Sequence, residues 1–125
     1  MKAARFPRTV TAAIRDGKIL GIRAGAKPHR VIGIWAVVVE GLVFVRSWTV
    51  KASGWYRALS EDPQGVIEVE KRRLKFRAVF TRSERLRKAV DRAYVEKFRT
   101  PWAAKLARQF KTAKRRATTT ELLPR

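Results

Sequence analysis

Between Val31 and Leu59 the chain brings an arginine, a hydroxyl and three aromatic rings close together, in Val45-Arg46-Ser47-Trp48 and in Ser53-Gly54-Trp55-Tyr56-Arg57. Rings stack on the face of a planar ligand while a cation meets its phosphate or carboxylate, so the cluster suits a flat, negatively charged small molecule. Arg46 and Ser47 are the candidates for a phosphate or a ring carbonyl, and Trp55 and Tyr56 for the ring face. Upstream, Gly21 to Arg30 carries Arg23, Lys27, His29 and Arg30 among Gly21, Gly25 and Pro28, a basic connection able to cradle an anion. Plainer readings stand beside these. Arg46 pairs with Glu40, Glu68 or Glu70; Trp55 and Tyr56 anchor a short helix; single basic loop residues are common. Trp35, Tyr94 and Phe98 read as core, with a subunit interface as the other reading for Trp35.

Composition removes several chemistries. The chain has no cysteine and one histidine, His29. Disulfides, zinc-thiolate sites, thiol nucleophiles, His-based acid–base pairs and multi-histidine metal sites are therefore excluded within one chain. No metal site is expected. The longest apolar run, Val31 to Val39, falls short of a membrane span, and the N-terminus lacks the apolar stretch of a secretory signal. The expectation is one cytoplasmic domain over residues 1–125, with no membrane partner. Thirty Lys and Arg against ten Asp and Glu give +20. The excess concentrates from Lys71 to Arg116, where eighteen basic residues face three acidic ones, Glu84, Asp91 and Glu96. Such a field attracts polyanions; it is read either as a soluble basic surface or as a nucleic-acid-binding face.

The elements that must position these residues follow from periodicity. Thr9 to Asp16 reads as a short helix or turn closed by Gly17, and Lys18 to Arg23 as a first strand. Val31 to Val39, β-branched and apolar on both faces, reads as one central strand, turning at Glu40-Gly41 into Leu42–Trp48. In that second strand Leu42, Phe44, Arg46 and Trp48 share a face. Ser53 is placed to cap a helix through Trp55 and Leu59, stopped at Asp62-Pro63. Val66–Glu70 and Leu74–Phe80 read as strands joined by Lys71-Arg72-Arg73. Thr81-Arg82-Ser83-Glu84 matches a capping box before the stripe Leu86, Ala89, Val90, Ala93, Tyr94 and Phe98. Pro101 opens a further helix with the stripe Trp102, Leu106, Ala107 and Phe110. Ala117 to Leu123 is threonine-rich and strand-like, placed to close a sheet edge. The fold class is α+β, mostly antiparallel, with flanking helices.

On these residues the chain resembles a known family. Ile34-Trp35-Ala36-Val37-Val38-Val39, Val45-Arg46-Ser47-Trp48, Trp55-Tyr56-Arg57, Asp91-Arg92-Ala93-Tyr94-Val95-Glu96-Lys97-Phe98 and the ending Ala117 to Pro124 are similar to a small bacterial domain-of-unknown-function family. That family resembles the FMN-binding split barrels, in particular the deazaflavin-dependent nitroreductases. The resemblance implies a split β-barrel, a homodimer, and FMN or a deazaflavin coenzyme as cofactor. Residue by residue, it implies that the loop with Arg23, Lys27 and Arg30 carries the phosphate end, and that Ser47, Lys51, Trp55 and Tyr56 line the pocket. Ala24 stands where those enzymes usually have serine, and Trp48 and Val50 replace a lysine and a glycine, which narrows the pocket. Hydride transfer would then be the cofactor's chemistry, with orientation and electrostatics supplied by the protein. No catalytic residue is assigned; Tyr56 is the proton-donor candidate. Two rival readings remain: a nucleic-acid-binding module using Lys71 to Arg116, and a split barrel without redox activity that binds another metabolite.

Overall fold

Seven strands and five helices follow one another in the structure, a computed structural model that describes residues 5–25, 30–49 and 54–125. Helix α1 (Arg8–Asp16) precedes β1 (Leu20–Ala24), β2 (Ile32–Ile34), β3 (Ala36–Val39) and β4 (Leu42–Val45). Helix α2 (Trp55–Glu61) leads into the hairpin of β5 (Gln64–Val69) and β6 (Arg72–Phe80). Helices α3 (Glu84–Lys97), α4 (Pro101–Gln109) and α5 (Ala113–Arg116) precede the last strand, β7 (Thr120–Pro124). All pairings are antiparallel and the order is β2-β1-β5-β6-β7-β4-β3. The expected α+β class and antiparallel barrel are both present.

The two ends of that order are the two halves of one segment. Ile32–Ile34 pairs with β1, the chain passes through Trp35, and Ala36–Val39 pairs with β4. The sheet therefore almost closes on itself, which leaves only the short strands β2 and β3 at its edges. The single strand expected over Val31 to Val39 is divided at Trp35, and the cause is a side chain. One further step of the β3–β4 register would set Trp35 opposite Arg46. The Tyr94 hydroxyl occupies that position instead, accepting from the Arg46 backbone N–H at 3.0 Å and donating to the Trp35 carbonyl at 2.8 Å. A bridged bond replaces a direct one, both backbone groups stay satisfied, and the strands diverge. Burial pushes the Tyr94 hydroxyl above its ordinary range, so it remains a donor.

Because β3 and β4 are covered on both faces, alternate residues enter two different cores. Ala36, Val43 and Val45 join Leu20, Ile22, Ile67 and Phe76 inside the barrel, where Val10 and Ile14 of α1 and Trp55 and Leu59 of α2 also pack. Val37 and Phe44 point outward beneath Val90, Tyr94, Phe98, Ala107 and Phe110 of the α3–α4 layer. This explains the near-continuous apolar run of these strands.

Turn and cap chemistry differs from expectation at several points. Glu40-Gly41 forms the expected tight turn with positive φ at both residues (55° and 77°). Glu70 and Lys71 do the same (46° and 68°), so β6 begins at Arg72 and the connection is two residues rather than the expected stretch through Arg73. Neither residue is glycine or asparagine, which hid the turn. The cap of α3 is Ser83, whose hydroxyl accepts from Leu86 N–H at 3.3 Å, and not Thr81. For α2 the capping residue is Gly54; the expected cap Ser53 lies outside the described residues. Finally, β7 is no edge strand. It lies between β6 and β4.

Candidate functional site

Arg46 follows the last residue of β4 on the outward face, and the α3–α4 layer covers it. Its side chain is fully buried and makes four hydrogen bonds: Nη1 to Asp91 Oδ1 at 2.5 Å and to the Phe110 carbonyl at 3.1 Å, Nη2 to the Arg87 carbonyl at 2.9 Å, and Nε to Thr119 Oγ1 at 2.8 Å. Asp91 is held from its other oxygen by Arg116 Nε at 3.1 Å. Burial pulls the Arg46 guanidinium below its ordinary range, and the Asp91 hydrogen bond opposes that shift. Arg46 is thus a paired buried charge rather than a rim cation, and its partner is none of Glu40, Glu68 or Glu70. Glu40 instead binds Arg85 at 2.5 Å, which lowers the Glu40 carboxyl below its ordinary value; Glu68 pairs with Arg73 at 3.4 Å.

Ser47 is buried beside it. Its backbone N–H donates to Thr118 Oγ1 at 2.8 Å, and its hydroxyl donates to the Thr49 carbonyl. The threonine run thereby gains a role that strand propensity did not suggest: Thr118 fastens Ser47, and Thr119 fastens Arg46.

What opens next to this buried network is an aromatic cavity of about 340 Å³. All four tryptophans of the chain, Trp35, Trp48, Trp55 and Trp102, line it. Each comes from the end of an element: the break between β2 and β3, the exit from β4, the first residue of α2 and the second residue of α4. Ile32, Ile34, Leu106 and Phe110 complete the apolar wall, and part of Arg46 reaches it. Trp35 is held by Phe98, stacked at 3.9 Å and 6°, and meets Trp102 edge-on at 6.3 Å. Trp48 stands edge-on to Phe110 at 5.4 Å, while the Arg115 guanidinium covers it 3.6 Å from the ring centroid and donates from Nε to the Trp48 carbonyl at 3.1 Å. A volume of this size with rigid ring walls suits a planar ring system.

Of the residues singled out in the sequence, the structure brings Arg46, Ser47 and Trp55 to this region. Tyr56 is not part of the cavity wall; it packs edge-on to Phe80 at 5.6 Å against the barrel core. Arg23 lies on the outward side of β1, alternating with buried Ile22 and Ala24, and Arg30 is exposed just before β2; neither lines the cavity. Lys27 and Lys51 lie outside the described residues. Sequence reasoning missed Trp35, read as core or subunit interface, and Trp102, placed in a helix stripe, whereas Trp48 belonged to the ring cluster and was also read as narrowing the pocket. The available signal was four tryptophans, each beside a turn, a helix start or a strand end.

A family model described as "Uncharacterized protein conserved in bacteria (DUF2255)" matches residues 10–122. Among solved structures, the chain is similar to the conserved hypothetical protein Rv2991 from Mycobacterium tuberculosis, with a TM-score of 0.60 and 12% sequence identity over 98% of this chain and 83% of that one. At that identity the likeness is one of fold. A search of curated proteins finds no match.

Proposed function

The chain belongs to this uncharacterised bacterial family, and from that premise we propose that it binds a planar, anionic coenzyme of the FMN or deazaflavin class in the tryptophan-lined cavity. The observation that carries the reading is the convergence of all four tryptophans on one cavity. In this reading Trp35 and Trp55 hold the ring system from inside, and Trp48 and Trp102, which remain 42% and 70% exposed, form its mouth. The donor set fits the ring better than the phosphate. Four Arg46 hydrogen bonds run inward, so the anionic end meets another cation, for which Arg115, held over Trp48, is a candidate. Such a coenzyme supplies hydride transfer when bound. An oxidoreductase activity of the nitroreductase-like kind belongs to the same proposal, as does a homodimer in which a second copy covers the exposed Trp102.

The test is a titration with FMN, riboflavin and a deazaflavin coenzyme at physiological salt, following coenzyme fluorescence. Saturable binding that survives removal of the phosphate, and that weakens by about tenfold in Trp48→Ala or Trp102→Ala, supports a ring-binding site. Binding of FMN that inorganic phosphate abolishes, with none of riboflavin, refutes it, because a +20 chain attracts phosphate anywhere.

A second reading has its own observation. Lys88, Arg92, Lys105, Arg108, Lys111 and Lys114 are exposed on and between α3, α4 and α5, whereas Arg87 and Lys97 of the same region are bonded to backbone carbonyls and Arg116 to Asp91 and Glu84. The exposed set offers a phosphate-backbone contact surface. Retained nucleic-acid binding at physiological salt supports this reading; binding confined to low salt removes it.

A further inference from the structure

On the other side of the Trp35–Trp102 pair lies a second cavity, of about 570 Å³. Lys97, at the last turn of α3, forms part of its wall. The Lys97 amine is half-buried and donates to the Ile14 carbonyl of α1 at 2.8 Å and to the Ala36 carbonyl of β3 at 2.6 Å. An ammonium has three donors, and these carbonyls take two. The Phe98 ring lies 5.3 Å from the amine. Among the described residues no carboxylate lies within ion-pair distance of it.

The charges around Lys97 can be followed element by element. From α1 come Arg15 and Asp16, exposed and paired with each other at 3.3 Å. Lys18 follows α1, and Arg99 follows α3; these two line the cavity together with Arg15 and Asp16. Glu96, next to Lys97, lines a different hollow on the far side of the amine. Strand β3 brings only Ala36 and valines against it. The cavity therefore presents four cations, Arg15, Lys18, Lys97 and Arg99, against one carboxylate, Asp16, between walls of Trp35, Phe98 and Trp102. A half-buried cation with neutral acceptors and no bonded counter-charge is costly, and an anionic occupant offsets that cost.

We propose that this second cavity binds a small aromatic carboxylate, with Lys97 as its inner charge contact and the Trp35–Trp102 pair as the wall it shares with the first cavity. The site does not depend on a coenzyme in the first cavity. Burial lowers the Lys97 amine to about 8, with Asp16 opposing, so the contact is strongest below that pH and fades above it.

The probe is 1-naphthoate, followed by fluorescence at physiological salt. One-to-one saturable binding is expected, weakened about tenfold in Lys97→Met and progressively as pH rises through about 8. Lys97→Met also leaves two carbonyls without their donor, so its fold is checked by circular dichroism. If it does not fold, the Lys18→Gln/Arg99→Gln variant, altered only at exposed positions, serves instead and is expected to bind about threefold more weakly. Unchanged affinity in the folded variant used, or the absence of saturable binding by the wild type, overturns the proposal.

Discussion

Replacing Arg46 with methionine is expected to test the stability of the fold before it tests any ligand. The substitution keeps the length of the side chain and removes four hydrogen bonds from a fully buried group. Breaking a buried ion pair from one side costs about 3–5 kcal/mol, because the remaining charge is left uncompensated. Here the remaining charge is Asp91, which keeps Arg116 at 3.1 Å and is 15% exposed, so the lower end, about 3 kcal/mol, applies. Against a typical domain stability of about 5–15 kcal/mol, that removes a large fraction. Asp91→Asn strips the counter-charge from Arg46 and Arg116 together and should cost a similar amount, while Arg46→Met/Asp91→Leu should cost less than the sum by about 1 kcal/mol or more. Urea denaturation followed by tryptophan fluorescence and circular dichroism measures all three. A loss below about 1 kcal/mol for Arg46→Met would show that these contacts are not what holds the helical layer on β4. Alanine at position 46 is for the same reason no clean probe of cofactor binding, because the residue it replaces is bonded to Arg87, Asp91, Phe110 and Thr119.

Two further outcomes follow from other parts of the layer. Tyr94→Phe removes the hydroxyl between Arg46 N–H and the Trp35 carbonyl, and should destabilise by about 2 kcal/mol in urea titrations, because two buried backbone groups lose their partner. Lys97 has its folded value lowered to about 8 from 10.5, so between those values the unfolded chain binds more protons and stability rises with pH; below about 8 this contribution is flat. From neutral pH to about 10 the wild type should therefore gain on the order of 1 kcal/mol relative to Lys97→Met, the figure being reduced for the amine's partial exposure. Equal pH slopes for the two proteins would contradict this.

Much of the architecture was legible because periodicity reports burial. The apolar stripes of α3 and α4, the alternation of β5 and β6, and the Glu40-Gly41 turn all carry their structure locally. The division of Val31 to Val39 was not legible, because it is made by Tyr94, nearly sixty residues away, and a strand apolar on both faces gives no hint of where it changes partner. The buried state of Arg46 was hidden for the same reason: whether a cation ending an apolar row meets water or a helical layer depends on packing, and its partner Asp91 sits on a helix whose outer face reads as basic. The cavity stood half in view. Trp55 was recognised because it lies near Arg46 and Ser47 in sequence, while Trp35 and Trp102 looked like core residues and meet the others only through closure of the barrel.

The most direct measurement is nuclear magnetic resonance of the four tryptophan indole N–H groups during titration with FMN and with a deazaflavin coenzyme at physiological salt. A ligand in the cavity should move all four resonances together, including that of Trp55, which is 9% exposed, and they should saturate along one curve. Shifts confined to the exposed Trp48 and Trp102, or shifts that grow without saturating, would mean that the coenzyme only adheres to the basic surface and that the cavity is not its site.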